Sequence, residues 1–304
     1  MPNKNMMEKL LFTGGTGFLG RNIKPILDKS YEVTTIGIMD NDMIKANFVT
    51  DTPRLPEHYD IVLHAAGKAH IYPKTEAERQ AFYDVNLNGT IHLCDALEEI
   101  GVPRAFIFIS TMNVYGEIPG NMDTEDSRPL VGDSPYADSK IKAEEYLTRW
   151  CKKHNVILGI LRPSLLAGKG APGNLGAMIK GIRTGAYLSI AGGKARKSVL
   201  MVDDIANLVP LVAEKGGVYN VCDDHNPSFR ELETTIAKQL GKHKPISIPY
   251  WMARCLALIG DILPSFPINS KRLKKIVTSD TWSNEKAKRE LSWQPIDVLS
   301  HYEI

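Results

Sequence analysis

Short apolar runs alternate, along the first half of the chain, with longer segments in which apolar residues recur every three or four positions. The short runs predict strands at residues 9–13, 32–36, 59–64 and 104–110, and the last of these is nearly continuous, as expected of a buried parallel strand. The longer segments predict helices near 76–97 and from 135 to 151. Strands that alternate with helices predict the α/β class, with a doubly wound parallel sheet.

Three glycines lie between the first predicted strand and the first predicted helix. Gly14, Gly17 and Gly20 form the pattern G-x-x-G-x-x-G. In this context glycines permit a tight turn close to a pyrophosphate, and the helix N-terminus supplies N–H groups to the anion. The pattern therefore indicates a dinucleotide site. Beyond the second strand, Asp40 could bind the adenosine ribose or could be a solvated turn residue, so NAD and NADP both stay open.

Tyr136 and Lys140 lie four residues apart in a helix that is predicted to begin at Ser134 and Pro135. This spacing places both side chains on one helix face. A free tyrosine has a pKa of about 10, and a nearby ammonium lowers that value. A phenol tuned in this way can exchange a proton with an alcohol. The same spacing also occurs on ordinary solvated helix faces, so the pair needs support from the rest of the chain.

The overall charge and the cysteine content exclude several classes of protein. The chain has 304 residues, 37 of them lysine or arginine and 35 acidic, which argues against a general nucleic-acid-binding protein. Four cysteines without a C-x-x-C pair and eight histidines without ligand spacing argue against a metal site. Residues 1–8 lack the apolar core of a signal peptide, and the stretch 251–263 is too short and too charged to span a bilayer. We therefore expect a cytoplasmic protein with no metal, no nucleic-acid partner and no membrane partner.

Taken together, the chain resembles an extended short-chain dehydrogenase/reductase of the NAD-dependent epimerase/dehydratase family. Members of this family have a Rossmann-like fold and act mainly on nucleotide-linked sugars. The resemblance extends over most of the chain, in order, and the residues that carry it are 13–20, 64–67, Asn86, 109–111, 114–116, Tyr136, Lys140, 161–163 and 202–206.

The resemblance implies the catalytic roles. Tyr136 would be the acid/base, Lys140 its activator and a ligand of the nicotinamide ribose, and Thr111 the hydrogen-bond partner of the reacting hydroxyl. The dehydratases of the family have an acidic pair directly after this threonine, whereas this chain has Met112 and Asn113, which are expected to contact substrate. The missing carboxylates argue against a dehydratase.

The resemblance also implies contacts to NAD, with NADP not excluded. Asn47 stands where the family usually has an aspartate near adenine, and Ile38 stands where NADP-preferring relatives often have arginine, which favours NAD. For the substrate diphosphate, it points to Asn174 and to Arg196 or Lys197. Besides Tyr136 and Lys140, the implied cofactor residues are Gly14, Thr16, Gly17, Phe18, Leu19, Gly20, Asp40, Asn47, Phe48, His64, Ala65, Ala66, Gly67, Asn86, Arg162 and Pro163.

One histidine, His64, ends the third predicted strand, and another, His70, lies in the loop after it. His64 is expected to be structural at the strand end rather than a base, and His70 to be a solvated loop residue rather than part of the substrate cleft.

The predicted organisation has two parts. Residues 1–165 would form the NAD(P)-binding Rossmann domain, to which 195–225 returns, and residues 166–194 and 226–304 would form a smaller substrate-binding domain. Two activities fit a nucleotide-sugar substrate. One is a 4-epimerase with a 4-keto intermediate, and the other is a single-turn 4-ketosugar reductase or dehydrogenase. A non-catalytic NAD(P)-sensing protein fits less well, because the catalytic set is intact. A homodimer through the helices that contain Asn86 and Tyr136 would fit the family.

Overall fold

The computed structural model describes residues 7–69, 71–116, 120–122, 129–263, 266 and 268–304, so the prediction for His70 lies outside the described residues. The strands are β1 (Lys9–Thr13), β2 (Glu32–Gly37), β3 (Ile44–Lys45), β4 (Ile61–His64), β5 (Ala105–Ile109), β6 (Gly120–Met122), β7 (Ile157–Pro163), β8 (Leu165–Ala167), β9 (Ser189–Ile190), β10 (Val199–Met201), β11 (Gly217–Val221), β12 (Ser247–Ile248) and β13 (Asp280–Trp282). The helices are α1 (Phe18–Leu27), α2 (Glu76–Tyr83), α3 (Gly89–Ile100), α4 (Pro135–His154), α5 (Gly173–Thr184), α6 (Asp203–Lys215), α7 (Phe229–Gln239), α8 (Tyr250–Ile262), α9 (Ser270–Val277), α10 (Glu285–Leu291) and α11 (Val298–His301).

A seven-stranded parallel sheet forms the centre, in the order β11-β7-β5-β4-β1-β2-β3. The predicted α/β class and parallel sheet are therefore confirmed. The chain builds outward from β1 to β3 and then returns to the other side of β1 with β4. Such a reversal opens a crevice at the carboxyl ends of the strands, where ligands bind in this kind of sheet.

Alternating side chains of each strand divide the core into two layers. In β1, Leu10 and Phe12 pack with α1 and α6, whereas Leu11 packs on the opposite face with α3 and α4. The same alternation holds in β5, where Ile107 and Phe108 belong to different layers. Both faces of the sheet are thus covered, which explains the continuous apolar runs in the sequence.

The C-terminal segment returns to the sheet. Leu291 and Trp293 pack in the same buried cluster as β1 and α6. The Trp293 indole donates a hydrogen bond to Asp204 (3.2 Å), and the Ile296 N–H donates another to the same carboxylate (3.0 Å). Burial raises the pKa of Asp204 to about 7. The domain boundaries stay a prediction. The sequence analysis assigns 226–304 to the substrate-binding part, whereas α10 packs in the buried cluster of β1, α1 and α6.

The remaining elements form two smaller clusters. α5, α7 and α11 pack around the pair β8–β10, and α8 and α9 pack beside the pair β9–β12. β11 joins the main sheet as expected for 195–225, whereas β10 pairs outside it. Within the described part of the chain, no helix is both long and apolar enough to cross a membrane.

Candidate active site

α4 carries the predicted catalytic pair and begins as the sequence predicts. The Ser134 hydroxyl accepts a hydrogen bond from the Ala137 N–H (3.2 Å), and Pro135 occupies the first turn, where its missing N–H costs nothing. Tyr136 and Lys140 follow on the side that faces the sheet edge. The predicted helix is confirmed and extends three residues beyond 151.

Lys140 is held at the carboxyl end of β5. Its side chain is only 3% exposed, its ammonium donates a hydrogen bond to the Ile109 carbonyl (2.8 Å), and it lies 4.4 Å from the centroid of the Phe108 ring. Burial lowers the pKa of Lys140 to about 8, although the charge of Glu144 acts in the opposite direction. The ammonium is therefore fixed in position but poorly solvated.

The pKa of Tyr136 is shifted upward, whereas the sequence analysis expected a nearby ammonium to lower it. Burial raises the pKa of Tyr136, and a hydrogen bond with Thr111 lowers it by a smaller amount. Lys140 bonds to the Ile109 carbonyl rather than to the phenol. Tyr136 is thus neutral at neutral pH and can donate its proton to a carbonyl oxygen, as the reduction of a keto sugar requires.

Thr111 lies two residues after β5 and caps a short 3-10 turn. Its hydroxyl oxygen accepts a hydrogen bond from the Asn113 N–H (3.2 Å). Met112 packs in a buried cluster with Tyr115 and Trp282. Both Met112 and Asn113 were predicted to contact substrate, but only Asn113 presents a side chain to solvent. Met112 is turned into the core because its side chain is apolar and its turn places it behind Thr111.

A buried polar network lies directly behind these residues. The Arg162 guanidinium, 6% exposed, donates two hydrogen bonds to Glu144 (3.1 and 2.5 Å) and one to the Tyr115 hydroxyl (2.7 Å). The Tyr115 hydroxyl in turn donates to Asn220 (3.0 Å), and the Ser110 hydroxyl donates to Glu144. Burial alone would lower the pKa of Arg162, but its bond to Glu144 keeps that pKa raised, so the guanidinium stays charged.

This network engages one residue that the sequence analysis assigns to the cofactor. The guanidinium of Arg162 bonds inside the protein, where it ties β7 to α4 and to the turn after Thr111, and its contact to cofactor stays a prediction. Pro163 closes β7 and pairs with Val221 of β11. Sequence reasoning missed Glu144, although its position one helical turn after Lys140 places it on the same face of α4.

The glycine loop has the space that a pyrophosphate requires. Gly14 has a φ of +76°, and a Cβ there would lie 2.8 Å from the Ala66 nitrogen. A Cβ on Gly20 would lie 2.2 Å from the Gly15 carbonyl oxygen. Gly17 precedes α1 and provides no side-chain cap. The first N–H groups of α1 therefore have no side-chain partner among the described residues and are open to an anion. The loop thus fits a dinucleotide, with Thr16, Phe18 and Leu19 forming the turn and the start of α1.

His64 anchors the loop that packs against Gly14. The Thr13 hydroxyl oxygen accepts N–H groups from Ala65 (3.1 Å) and Ala66 (3.0 Å), so its own hydrogen points to His64 Nδ1 (2.6 Å). His64 Nε2 then donates to Thr90 (2.9 Å). Burial lowers the pKa of His64 to about 3, which keeps the ring neutral. The structural role expected for His64 fits this arrangement, whereas a cofactor contact through its ring does not.

Asn86 joins three elements around Gly67. It lies in a π turn between α2 and α3, a feature that often marks functional sites. Its amide accepts from the Lys68 N–H (2.7 Å) and donates to the Ser139 hydroxyl on α4 (2.9 Å). A Cβ on Gly67 would lie 3.0 Å from the Asn86 oxygen and 3.3 Å from the Lys140 ammonium. Only glycine leaves this part of the cleft clear.

The predicted adenosine residues are placed less favourably. Asp40 is exposed and pairs with Lys45 (2.5 Å). Asn47 is exposed, and its amide oxygen accepts from the Val49 N–H (3.1 Å). Phe48 is buried in the layer beside α3. The contacts of Asp40, Asn47 and Phe48 to cofactor stay predictions.

Asp42, which the sequence analysis missed, covers the end of β2. It is 8% exposed, and its Oδ2 accepts from the Met39 N–H (3.1 Å) and lies 2.5 Å from the place of a Cβ on Gly37. Its Oδ1 is buried and has no hydrogen-bond partner among the described residues. An acidic residue about 20 positions after the glycine motif is the available signal, and it fits Asp42 as well as Asp40.

The three candidates for the substrate diphosphate lie in different settings. Asn174 is exposed in the first turn of α5. Arg196 donates to the Asn226 carbonyl (2.8 Å) and lies 3.5 Å from Glu231. Lys197 lies 3.5 Å from Asp280 at the start of β13, and burial lowers its pKa.

The buried pair gives the first prediction. Arg162→Met leaves the Glu144 carboxylate buried without its counter-ion, so we expect it to lower the free energy of unfolding by about 3–5 kcal/mol. The double variant Arg162→Met/Glu144→Leu should lose clearly less than the single one. Urea unfolding measures both, with the exposed Arg149→Met on α4 as the control. A single variant as stable as the control would contradict this account.

Lys140 gives a second prediction. The folded pKa of about 8 lies below the ordinary lysine value of 10.5, so between these two values the unfolded chain binds a proton that the folded chain does not. Wild type should therefore gain up to about 3 kcal/mol of stability relative to Lys140→Met as the pH rises through this window. Unfolding of cofactor-free protein at several pH values measures the difference. Lys142→Met, an exposed neighbour, should show no such rise, and a pH-independent difference for Lys140→Met would refute the assignment.

Comparison with known proteins extends these observations. The chain is 27% identical over 319 residues to UDP-glucose 4-epimerase from Vibrio cholerae, covering 98% of this chain and 94% of that relative. It is 28% identical over 312 residues to N-acetyl-alpha-D-glucosaminyl-diphospho-ditrans,octacis-undecaprenol 4-epimerase from Escherichia coli O157:H7, covering 92% and 89%. The fold matches the crystal structure of UDP-glucuronic acid 4-epimerase from Bacillus cereus in complex with UDP-glucuronic acid and NAD, with a TM-score of 0.73, 21% identity and coverage of 96% and 95%.

A sequence model of one protein family establishes the family of this chain. The model described as the NAD dependent epimerase/dehydratase family matches residues 10–222, which include the glycine loop, the turn after Thr111 and the predicted catalytic pair on α4. The match covers well over half of the chain. The protein therefore belongs to the NAD dependent epimerase/dehydratase family and is an NAD(P)-dependent enzyme.

Proposed function

We propose that this protein is a 4-epimerase that acts on a diphosphate-linked sugar through a 4-keto intermediate. The observation that carries the proposal is the meeting of Thr111, Tyr136 and Lys140 at the carboxyl end of β5, beside the glycine loop. The epimerases from Vibrio cholerae and Bacillus cereus, which act on UDP-linked sugars, support the same substrate class.

The protein groups would divide the reaction as follows. NAD or NADP bound in the cleft would supply first the acceptor and then the donor of a hydride at the sugar carbon. Thr111 orients the reacting oxygen. Oxidation of the sugar needs the phenolate form of Tyr136, which the positive charges of Lys140 and of a bound oxidised nicotinamide would favour. That phenolate takes the hydroxyl proton as the carbonyl forms, and the phenol returns it when the carbonyl is reduced. Lys140, fixed by the Ile109 carbonyl, has further N–H groups to direct at the nicotinamide ribose.

The turn after Thr111 supports hydride return rather than elimination. Removal of water from a sugar needs an acid and a base beside the 4-keto group. Met112 is buried in the core, and Asn113 carries an amide that does not titrate. Neither residue supplies the proton transfers of a dehydratase. A single-turn 4-ketosugar reductase needs the same three catalytic residues and is the alternative.

We infer that Lys197 is better placed than Arg196 to bind the substrate diphosphate. Lys197 bridges to Asp280 in β13, and Trp282 of the same strand stacks on Tyr115 at 4.8 Å. Tyr115 belongs to the turn that follows Thr111, so Lys197 lies near the reacting end of the cleft. The guanidinium of Arg196 is instead held by the Asn226 carbonyl and lies beside Glu231. The homodimer, the cytoplasmic location and the contact to Asn174 stay predictions.

The function is tested by Tyr136→Phe, which keeps the ring and removes the proton. We expect kcat to fall by about 10²–10⁴, with NADH binding retained. The assay offers UDP sugars and 4-keto sugars with each cofactor, and it follows both product configuration and absorbance of the reduced cofactor. Interconversion without net cofactor change identifies the epimerase, and stoichiometric oxidation of NAD(P)H identifies the reductase.

A matched control is available on α2. Tyr83 donates to Asp138 (2.8 Å) away from Thr111, so Tyr83→Phe should retain activity. Full activity of Tyr136→Phe would refute the catalytic assignment for either reaction.

We further propose that Asp42 binds the adenosine ribose hydroxyls and selects NAD. Its unpaired Oδ1 can accept a hydroxyl hydrogen, and its charge repels a 2′-phosphate. A depression of about 210 Å³ lined by Arg21 and Lys24 would instead favour NADP, because both side chains are positively charged. Lys24, however, is already paired with Asp28 (2.8 Å).

Cofactor binding without substrate tests this assignment. Wild type should bind NADH more tightly than NADPH in a fluorescence titration. Asp42→Asn should weaken NADH binding by about tenfold and leave NADPH binding equal or stronger, because one ionic hydrogen bond is worth about 1.5–3 kcal/mol. Asp40→Asn tests the other candidate for this contact and should change neither affinity if Asp42 binds the ribose. A wild-type preference for NADPH that is lost in Arg21→Ala would overturn the assignment.

A further inference from the structure

α8 buries its small residues and exposes its large ones. Ala253, Ala257 and Gly260 face the protein and pack against the region around α9. A Cβ on Gly260 would lie 1.7 Å from the Ile268 carbonyl oxygen, so the helix approaches its support closely. On the opposite face, Trp251 is 66% exposed and Ile262 is 80% exposed, and the exposed apolar residues there are Trp251, Met252, Leu258, Ile259, Ile262 and Leu263.

These exposed residues form one continuous stripe. At 100° per residue, Trp251, Leu258 and Ile262 fall within a narrow arc, and Met252 and Ile259 widen it on one side. Single exposed apolar residues are common on protein surfaces, but a contiguous stripe along a helix marks an interaction surface. The polar positions Arg254 and Asp261 lie along its edge.

The segment around the stripe is strongly basic. Residues 242–275 contain seven of the 37 lysines and arginines of the chain and one of its 35 acidic residues, so the rest of the chain is net negative. Lys244, Arg254, Lys271 and Lys274 are exposed. The one acidic residue, Asp261, accepts from the Ser270 N–H at the start of α9 (2.9 Å).

The charge decides between the possible occupants. A second copy of the chain would meet this surface through a two-fold interface, which would bring the basic segment against its own copy. An anionic bilayer instead satisfies both features, because large apolar side chains enter the headgroup region while lysine and arginine bind lipid phosphates. We propose that α8 and α9 form a docking surface for anionic phospholipid membranes.

This proposal revises one expectation from the sequence. A membrane partner was not expected, because no segment is long and apolar enough to span a bilayer. A helix that lies in the plane of the membrane needs no such length. Among the described helices none is long and apolar enough to span a bilayer, and a helix in the membrane plane is compatible with that finding. The expectation of no membrane partner is what the vesicle experiment decides.

The position of the surface suggests a substrate class, and this step rests on the proposed function. α9 is followed directly by β13, whose Trp282 stacks on Tyr115 beside the catalytic turn. Docking would therefore bring the substrate side of the cleft close to the bilayer. A sugar carried on a membrane-anchored polyprenyl diphosphate would then reach Tyr136 without leaving the membrane.

Vesicle binding tests the docking surface independently of catalysis. The full chain is mixed with vesicles of phosphatidylcholine alone or with added phosphatidylglycerol, and flotation measures the bound fraction. We expect binding to the anionic vesicles, weakened by salt. Trp251→Glu/Ile262→Glu and Lys271→Glu/Lys274→Glu should each reduce it by about tenfold or more, since each basic residue near the surface contributes about 1 kcal/mol.

A matched control tests whether the position of the charge change matters, and tryptophan emission tests whether α8 itself enters the membrane. Arg149→Glu/Lys152→Glu makes the same charge change at the same spacing on α4 and should retain binding. Trp251 is the exposed tryptophan of the chain, because Trp150, Trp282 and Trp293 are buried. Its emission should shift to the blue on anionic vesicles, and Trp251→Phe should remove that shift.

The outcomes separate the proposals. Equal binding by wild type and the α8 and α9 variants, or no binding by wild type, would overturn the docking surface. A concentration-dependent dimer that the α8 variants abolish would assign the stripe to a second copy instead. If the protein binds anionic vesicles but accepts only water-soluble nucleotide sugars, the proposal of a lipid-linked substrate is wrong and the docking surface is confirmed. Unchanged turnover of a nucleotide sugar by the α8 variants would show that they fold correctly.

Discussion

The buried ion pair between Glu144 and Arg162 fixes α4, the helix that carries Tyr136 and Lys140, to the sheet. Tyr136, Lys140 and Glu144 follow one another at intervals of four residues along α4, so holding the last of them orients the face that carries all three. The same pair holds Ser110, directly before Thr111, and the Tyr115 hydroxyl in the turn behind it. Buried pairs of this kind rarely add net stability. Here the pair sets the position of the reacting groups.

Precise placement has a cost in this fold. Lys140 is buried between the Phe108 ring and the Ile109 carbonyl, and this burial lowers the pKa of its ammonium. Gly67 leaves room between Asn86 and Lys140. Gly14 lets the loop after β1 approach the loop after β4 at Ala66. Functional sites commonly carry such locally unfavourable features, which the surrounding core supports.

Local patterns predicted the frame and part of the site. The apolar runs located β1, β2 and β5, and the cap at Ser134 located α4. Long-range packing decided the rest. The fold-back of Asp42 over Gly37 depends on the loop after β2, and the role of Arg162 depends on meeting Glu144 across the sheet edge. The return of α10 to the Rossmann layer likewise depends on Trp293 reaching Asp204, which no local pattern records.

The central claim is that one sugar carbon is oxidised and then reduced again at Tyr136, within a single binding event. The most direct measurement uses a sugar substrate with deuterium on that carbon and follows the label by mass spectrometry and NMR. The account predicts that the epimerised product keeps its deuterium on the same carbon, with none replaced by hydrogen from water. Loss of the label to solvent, or to added free cofactor, would contradict it.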